Sequence, residues 1–347
     1  MSLSRGRSIT VVIAFAILPA TVQTVSAQTP GRVPQWSKAA PFPIPEEELY
    51  GSVVNGKFYV LGGFGMGGMA PGMVFEYDPA ADRWTRKKDM PVKVHHQAQT
   101  PLNGKLYVFG GCLQAISGEG GTQNAWEWDP VADTWKALAP LTVKRCSAVA
   151  EQVDGKIYLI GGLEPFENGK GTRVSGRNQM YDPATNTWTE RSPMPTTRNH
   201  AMAGAVNGKI YVLGGRLGAG NIPVTTNVDT VEEYDPATNL WGTVKERMPQ
   251  VRSGGGWATC NGKIYVGGGE WITREFYAAL RALDAYDPAT NTWETLTPLP
   301  GAVHGNAMGC IGNKLHTVSG KMRAGGGPDP ATAEHDVLEL PAKGGTQ

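Results

Sequence analysis

The chain has 347 residues, 32 of them Lys or Arg and 31 Asp or Glu, which leaves a formal net charge of +1 at neutral pH. With no run of like charge, it lacks the electrostatic footprint of a nucleic-acid binder, and no nucleic-acid partner is expected. Glycine, at 46 residues, is about twice as frequent as the roughly 7% average, and that excess calls for a structural source.

The chain opens on a targeting signature. Arg5 and Arg7 precede an apolar stretch from Ile9 to Leu18, and Val25-Ser26-Ala27 places small residues at a cleavage position. This reads as a secretory signal over residues 1–27, with a mature chain from Gln28 in the periplasm or outside the cell. The apolar stretch is short for a transmembrane helix, and no membrane span is expected.

From Trp36 to about Leu340 one pattern recurs six times. Glycine doublets stand at Gly62-Gly63, Gly110-Gly111, Gly161-Gly162, Gly214-Gly215 and Gly268-Gly269, with Ser319-Gly320 as a degenerate sixth, at spacings of 48, 51, 53, 54 and 51 residues. Ahead of the first five, Asn55, Asn103, Asp154, Asn207 and Asn261 each precede Gly-Lys, the chemistry of a tight hairpin that needs positive φ at both turn positions. The β-branched and aromatic run that follows each turn is short and ends in glycine, as a strand buried on both faces does. After each doublet a variable loop leads to a strand ending at Tyr77, Trp128, Tyr181, Tyr234 or Tyr286. Asp-Pro then opens a turn, and the last strand carries Trp84, Trp135, Trp188, Trp241 or Trp293.

This unit resembles the kelch repeat, a four-stranded propeller blade (strands A to D) of about 50 residues. The resemblance implies an all-β fold, a six-bladed propeller forming one domain over residues 28–347. Five tryptophans follow strand C in their own repeats, but the sixth repeat ends at Val337-Leu338-Glu339-Leu340 without one, while Trp36 precedes the first. The segment around Trp36 is therefore expected to supply strand D of the last blade and so to remove an open sheet edge.

An exported chain places Cys112, Cys146, Cys260 and Cys310 in an oxidising compartment. Cys112 with Cys146, and Cys260 with Cys310, fall on common faces and are candidate pairs; buried free thiols are the alternative.

Strand A starts form a ring at one mouth of the axial channel, and the B–C loops open on the same face. The successive triplets are Glu46-Glu47-Glu48, Val94-His95-His96, Arg145-Cys146-Ser147, Arg198-Asn199-His200, Arg252-Ser253-Gly254 and Val303-His304-Gly305, which gather four of the six histidines. Strand alternation sends one parity into the channel, either Glu46, Glu48, His96, Arg145, Arg198, His200 and Arg252, or Glu47, His95, Asn199, Ser253 and His304. Arg216, Glu270 and Lys321 follow doublets, and Trp271, Arg274, Tyr277 and Arg281 share the Glu270 loop. In the kelch family such arginines also serve structurally, bonding loop carboxylates or carbonyls.

Cationic forks beside an aromatic plate suit a sugar bearing a carboxylate. Secreted kelch propellers include the sialic acid mutarotases, which the chain resembles in repeat, blade number and export signal. That resemblance implies an isomerase in which Glu47 or Glu48 with His96 or His200 moves protons. Ligand contacts would come from His95, Arg145, Arg198, Asn199, Arg216, Arg252, Glu270, Trp271 and His304. The alternative is a protein-interaction module taking an acidic peptide at the same mouth. Metal chelation by His95, His96, His200, His304 and a glutamate ranks third, because adjacent strand starts stand far apart and His96 would have to reach His200 across blade 3. No cofactor is expected, and a monomer is.

Overall fold

Six antiparallel four-stranded sheets, each a blade with strand A innermost, surround a central channel. The computed structural model describes residues 34–65, 69–113, 121–218, 226–273, 275–326 and 330–341, and among these all regular structure is β. The signal segment and Arg274 lie outside the described residues. The A strands are Glu47–Val54, Ala98–Leu102, Val149–Val153, Met202–Val206, Gly256–Cys260 and Ala307–Ile311, for blades 1 to 6.

Blade 4 shows how the repeat dictates its geometry. Strands Met202–Val206 and Lys209–Leu213 pair antiparallel, with Val206 opposite Lys209. Between them Asn207 (φ 50°) and Gly208 (φ 75°) are both left-handed, as a two-residue hairpin on twisted strands requires. Strand C, Val231–Asp235, ends in a turn where the Asp235 carboxylate accepts the Ala237 N–H at 2.9 Å and the Tyr234 hydroxyl donates to Asn239 Oδ1 at 2.7 Å. The same aromatic-to-turn bond recurs from Tyr181 to Asn186 and from Tyr286 to Asn291, each 2.7 Å.

Two devices fasten neighbouring blades. Each strand D tryptophan donates its indole N–H to a carbonyl preceding it by about one blade; Trp84 to Ala40, Trp188 to Ala139 and Trp241 to Ser192 all measure 2.9 Å. The glycine doublet is the second device. A Cβ on Gly161 would lie 2.8 Å from the Arg198 carbonyl of the next blade, and one on Gly162 would lie 2.5 Å from the Cys146 carbonyl of its own. Neither position tolerates a side chain, and the saved space lets Gly162 N–H donate to the Arg198 carbonyl at 2.9 Å.

The ring closes through the N-terminal segment. Trp36–Lys38 pairs with His335–Glu339, Trp36 opposite Leu338, as strand D of blade 6. The Trp36 indole then donates to the Pro298 carbonyl at 2.9 Å, repeating across the closure the contact its counterparts make elsewhere. Both cysteine pairs are bonded: Cys112–Cys146 joins blades 2 and 3, and Cys260–Cys310 joins blades 5 and 6.

Candidate functional site

The triplets sit just ahead of the A strands, or at the start of the strand in blade 1, and their third residue has a left-handed backbone in every blade. The φ values are 57° at Glu48, 55° at His96, 54° at Ser147, 50° at His200, 60° at Gly254 and 61° at Gly305. From blade 2 to blade 6 these residues form a chain: Ser147 N–H donates to the His96 carbonyl, His200 to Ser147, Gly254 to His200 and Gly305 to Gly254, at 2.7–3.1 Å. Blades 5 and 6 meet this backbone demand with glycine. Glu48, His96 and His200 meet it with large side chains, against a preference of about 1–2 kcal/mol per residue.

The left-handed residue breaks strand alternation, so both parities converge on the axis. His96 and His200, from blades 2 and 4, stand ring to ring with centroids 4.7 Å apart. His96 Nε2 is 3.1 Å from Glu48 Oε2. His304 Nε2 lies 3.3 Å from Glu47 Oε2, and 3.9 Å from both Glu48 Oε1 and Glu270 Oε2. Arg216 spans the group, donating from Nη1 to Glu270 at 2.7 Å, from Nη2 to His200 Nε2 at 2.9 Å and from Nε to Asn199 Oδ1 at 3.3 Å. His200 Nδ1 bonds Asn199 Oδ1, His95 Nδ1 meets His96 Nδ1, and Lys321 Nζ is 3.7 Å from Glu47. All of these side chains are buried.

Burial opposes ionisation of Glu48, but His96, His304 and Arg216 overcome it and hold the carboxyl down at about 2. Burial also opposes charge on His304, yet Glu270, Glu47 and Glu48 raise it to about 9. His200 has no such compensation: burial, with Arg216 and His96 beside it, pushes it well below its ordinary value. The floor thus sets side by side a carboxyl favoured in its charged form, an imidazole favoured in its charged form and an imidazole favoured in its neutral form.

Next to it, through the His95–Cys112 backbone bridge, lies an apolar cluster of the Cys112–Cys146 disulfide with Leu163 and Val174. Above the floor the B–C loops expose large apolar side chains, at least one from each blade: Met69, Leu113, Phe166, Leu217, Phe276 with Tyr277, and Met322.

A family model described as the KLHDC2/KLHL20/DRC7 Kelch-repeats domain matches residues 102–320, and the Kelch motif matches residues 51–91. This chain belongs to the kelch-repeat family. Kelch relatives include Kelch-like protein terF of Aspergillus terreus, 31% identical over 274 residues that cover 76% of this chain and 58% of the relative. Human Kelch-like protein 23 is 28% identical over 284 residues, covering 80% and 46%. The chain thus spans about half the length of these curated relatives. The solved structure of YjhT superposes with a TM-score of 0.71 over 89% of this chain and 98% of that one, at 17% identity, a likeness of fold.

Within the kelch fold the sequence-derived residues divide cleanly. Glu47, Glu48, His95, His96, Asn199, His200, Arg216, Glu270 and His304 come together at the axis. Arg145, Arg198 and Arg252 do not, which corrects their assignment to ligand binding. Each turns back into its own blade, where the guanidinium bonds backbone carbonyls: Arg145 to Gly161 at 2.8 Å, Arg198 to Val212 at 2.9 Å, Arg252 to Ala282 at 3.1 Å. Arg198 also pairs with Glu232 and Arg252 with Asp284, all with side chains at most 4% exposed. In this arrangement they brace the blade instead of lining the axis. Trp271 sits in an extra hairpin, Glu270–Ile272 with Tyr277–Ala279, packed edge-on against Phe276.

The structure also corrects the distance argument against chelation. Glu48, His96 and His200 offer ligand atoms within 4.8 Å of one another, and so do Glu47, Glu48 and His304. Asn227 escaped sequence reasoning because the variable loop hides its register; its amide donates to Ser253 Oγ at 2.9 Å and to the Glu270 carbonyl at 3.0 Å.

Proposed function

We propose that the axial mouth of an exported kelch propeller binds a small polar molecule bearing a carboxylate, of the sugar-acid class, and moves a proton on it as a mutarotase or epimerase does. The observation that carries this reading is the convergence of Arg216, Lys321 and His304 with Glu47, Glu48 and Glu270 on one floor. A ligand carboxylate would compete for the cationic groups now paired with glutamates, and a hydroxyl would find acceptor and donor within one hydrogen-bond length of each other. The signal-like segment at residues 1–27 and the two disulfides support export.

The experiment is a thermal-shift screen against neutral and acidic sugars, followed by proton NMR of anomer exchange for any acid that stabilises. Stabilisation by acidic sugars, lost in Arg216→Ala, is expected; indifference to every acidic sugar would overturn the reading.

A second reading, a protein-interaction module, is favoured by the exposed apolar residue that every blade contributes to this face. The kelch-like names of the relatives accord with either reading. Stabilisation by acidic peptides alone would favour the second.

A further inference from the structure

Glu48, His96 and His200 share a feature that ligand binding does not require. All three occupy the left-handed position that blades 5 and 6 fill with Gly254 and Gly305. A backbone site that accepts glycine is instead given the three side chains that meet on the axis. Non-glycine residues held in this region cluster where a site depends on them.

The polar satisfaction of these residues is also incomplete. His96 is 2% exposed, and its Nε2 lies 3.1 Å from Glu48 Oε2 without the alignment of a hydrogen bond. His200 directs its Nε2 lone pair at a cation already, the Arg216 guanidinium at 2.9 Å. Its Nδ1 is fixed by Asn199 Oδ1, the outer contact that orients a metal-bound imidazole. His96 Nδ1 is likewise engaged, by His95. Both rings therefore present Nε2 to the space beside Glu48.

We propose that Glu48, His96 and His200 form a binding site for one first-row divalent cation, with two imidazoles and one carboxylate as protein ligands and the remaining positions open. Ligand atoms within 4.8 Å of one another need to close by about an ångström to share an ion with bonds of roughly 2.0–2.2 Å. The ion takes the His200 lone pair from Arg216, whose Nη1 keeps its 2.7 Å bond to Glu270. Imidazole with carboxylate selects iron, cobalt, nickel, copper or zinc over magnesium or calcium. The inference goes beyond the ligand reading and stands without it. If both hold, the open positions lie beside Glu47 and His304, which stay outside the three ligands.

Cobalt(II) is the probe, because its visible d–d bands report coordination directly. Purified full-length protein, stripped with chelator and free of any sugar, is titrated with Co²⁺ and then with Zn²⁺ in competition. One equivalent bound, with bands that zinc abolishes, is expected. His96→Gly and His200→Gly suit the left-handed backbone, which offsets part of the packing the buried rings lose, and both should still melt cooperatively as folded protein. Each should weaken Co²⁺ binding beyond the roughly 10–100-fold typical of losing an outer contact. Glu48→Gln, nearly isosteric, should do the same, while Leu240→Ala, exposed on the outer strand of blade 4, should leave binding unchanged. Absence of stoichiometric binding, or binding that survives in the two glycine variants and Glu48→Gln, overturns the proposal.

Discussion

His96 and His200 stand ring to ring at 4.7 Å although blade 3 lies between them in sequence. Blade 3 contributes Ser147 at the equivalent position, a side chain short enough to leave the axis to its neighbours. Small residues on blades 3, 5 and 6 (Ser147, Gly254 and Gly305) thus make room for the large ones on blades 1, 2 and 4.

The buried arginines are expected to behave as parts of the scaffold. Arg198→Ala leaves Glu232, and Arg252→Ala leaves Asp284, as a buried carboxylate without its cation. Breaking such a pair by removing one partner costs about 3–5 kcal/mol. Chemical denaturation should show each variant losing stability on that scale; unchanged midpoints would mean that the pairs do not hold the blades.

Blade 6 carries a second histidine pair, far in role from the axial group. His316 Nδ1 and His335 Nε2 are 2.9 Å apart, and His335 Nδ1 bonds the Ala40 carbonyl at 3.1 Å. Burial, with His335 and Lys314 adding to it, lowers His316 from 6.5 to about 3; burial lowers His335 to about 4 against the Ala40 bond and Asp82. Below pH 6.5 the unfolded chain takes up protons that the folded chain refuses, so the pair's contribution is full above 6.5 and is lost as pH falls towards the folded values. Melting temperatures from pH 7 to 5 should fall more steeply in the wild type than in His316→Phe/His335→Phe. Equal slopes would show that the pair does not stay neutral in the fold.

The disulfides close spans of 34 and 50 residues, and each is expected to contribute about 2–4 kcal/mol. Unfolded but unreduced protein should show no reactive thiol, and reduction should release four and lower the melting temperature. Free thiols before reduction would contradict both bonds.

Blades and closure strand were legible because a repeat encodes local pairing: Asn207-Gly208 demands its hairpin, and a missing sixth tryptophan with Trp36 upstream demands closure; the cysteine pairs stood only as candidates beside free thiols, because each joins two blades. The direction of a side chain at the strand start was not. Arg198 and His200 are two residues apart, yet one turns into the blade and the other onto the axis, because the backbone at His200 has φ 50°. Parity arguments assume extended backbone throughout and fail there. Gly254 and Gly305, in register with Glu48, His96 and His200, were the signal that this position is left-handed. The convergence that brings His96 to His200 depends on all six blades together, which no single repeat records.

The most direct test of the axial site is nitrogen-15 NMR of the six imidazoles during titration with N-acetylneuraminic or galacturonic acid. Four histidines lie at the mouth and two, His316 and His335, lie in blade 6, so the protein contains its own control. The ring nitrogens of His96, His200 and His304 are expected to shift to saturation while those of His316 and His335 stay fixed. Saturable binding that leaves the axial rings unmoved, or no binding of either acid, would contradict that expectation.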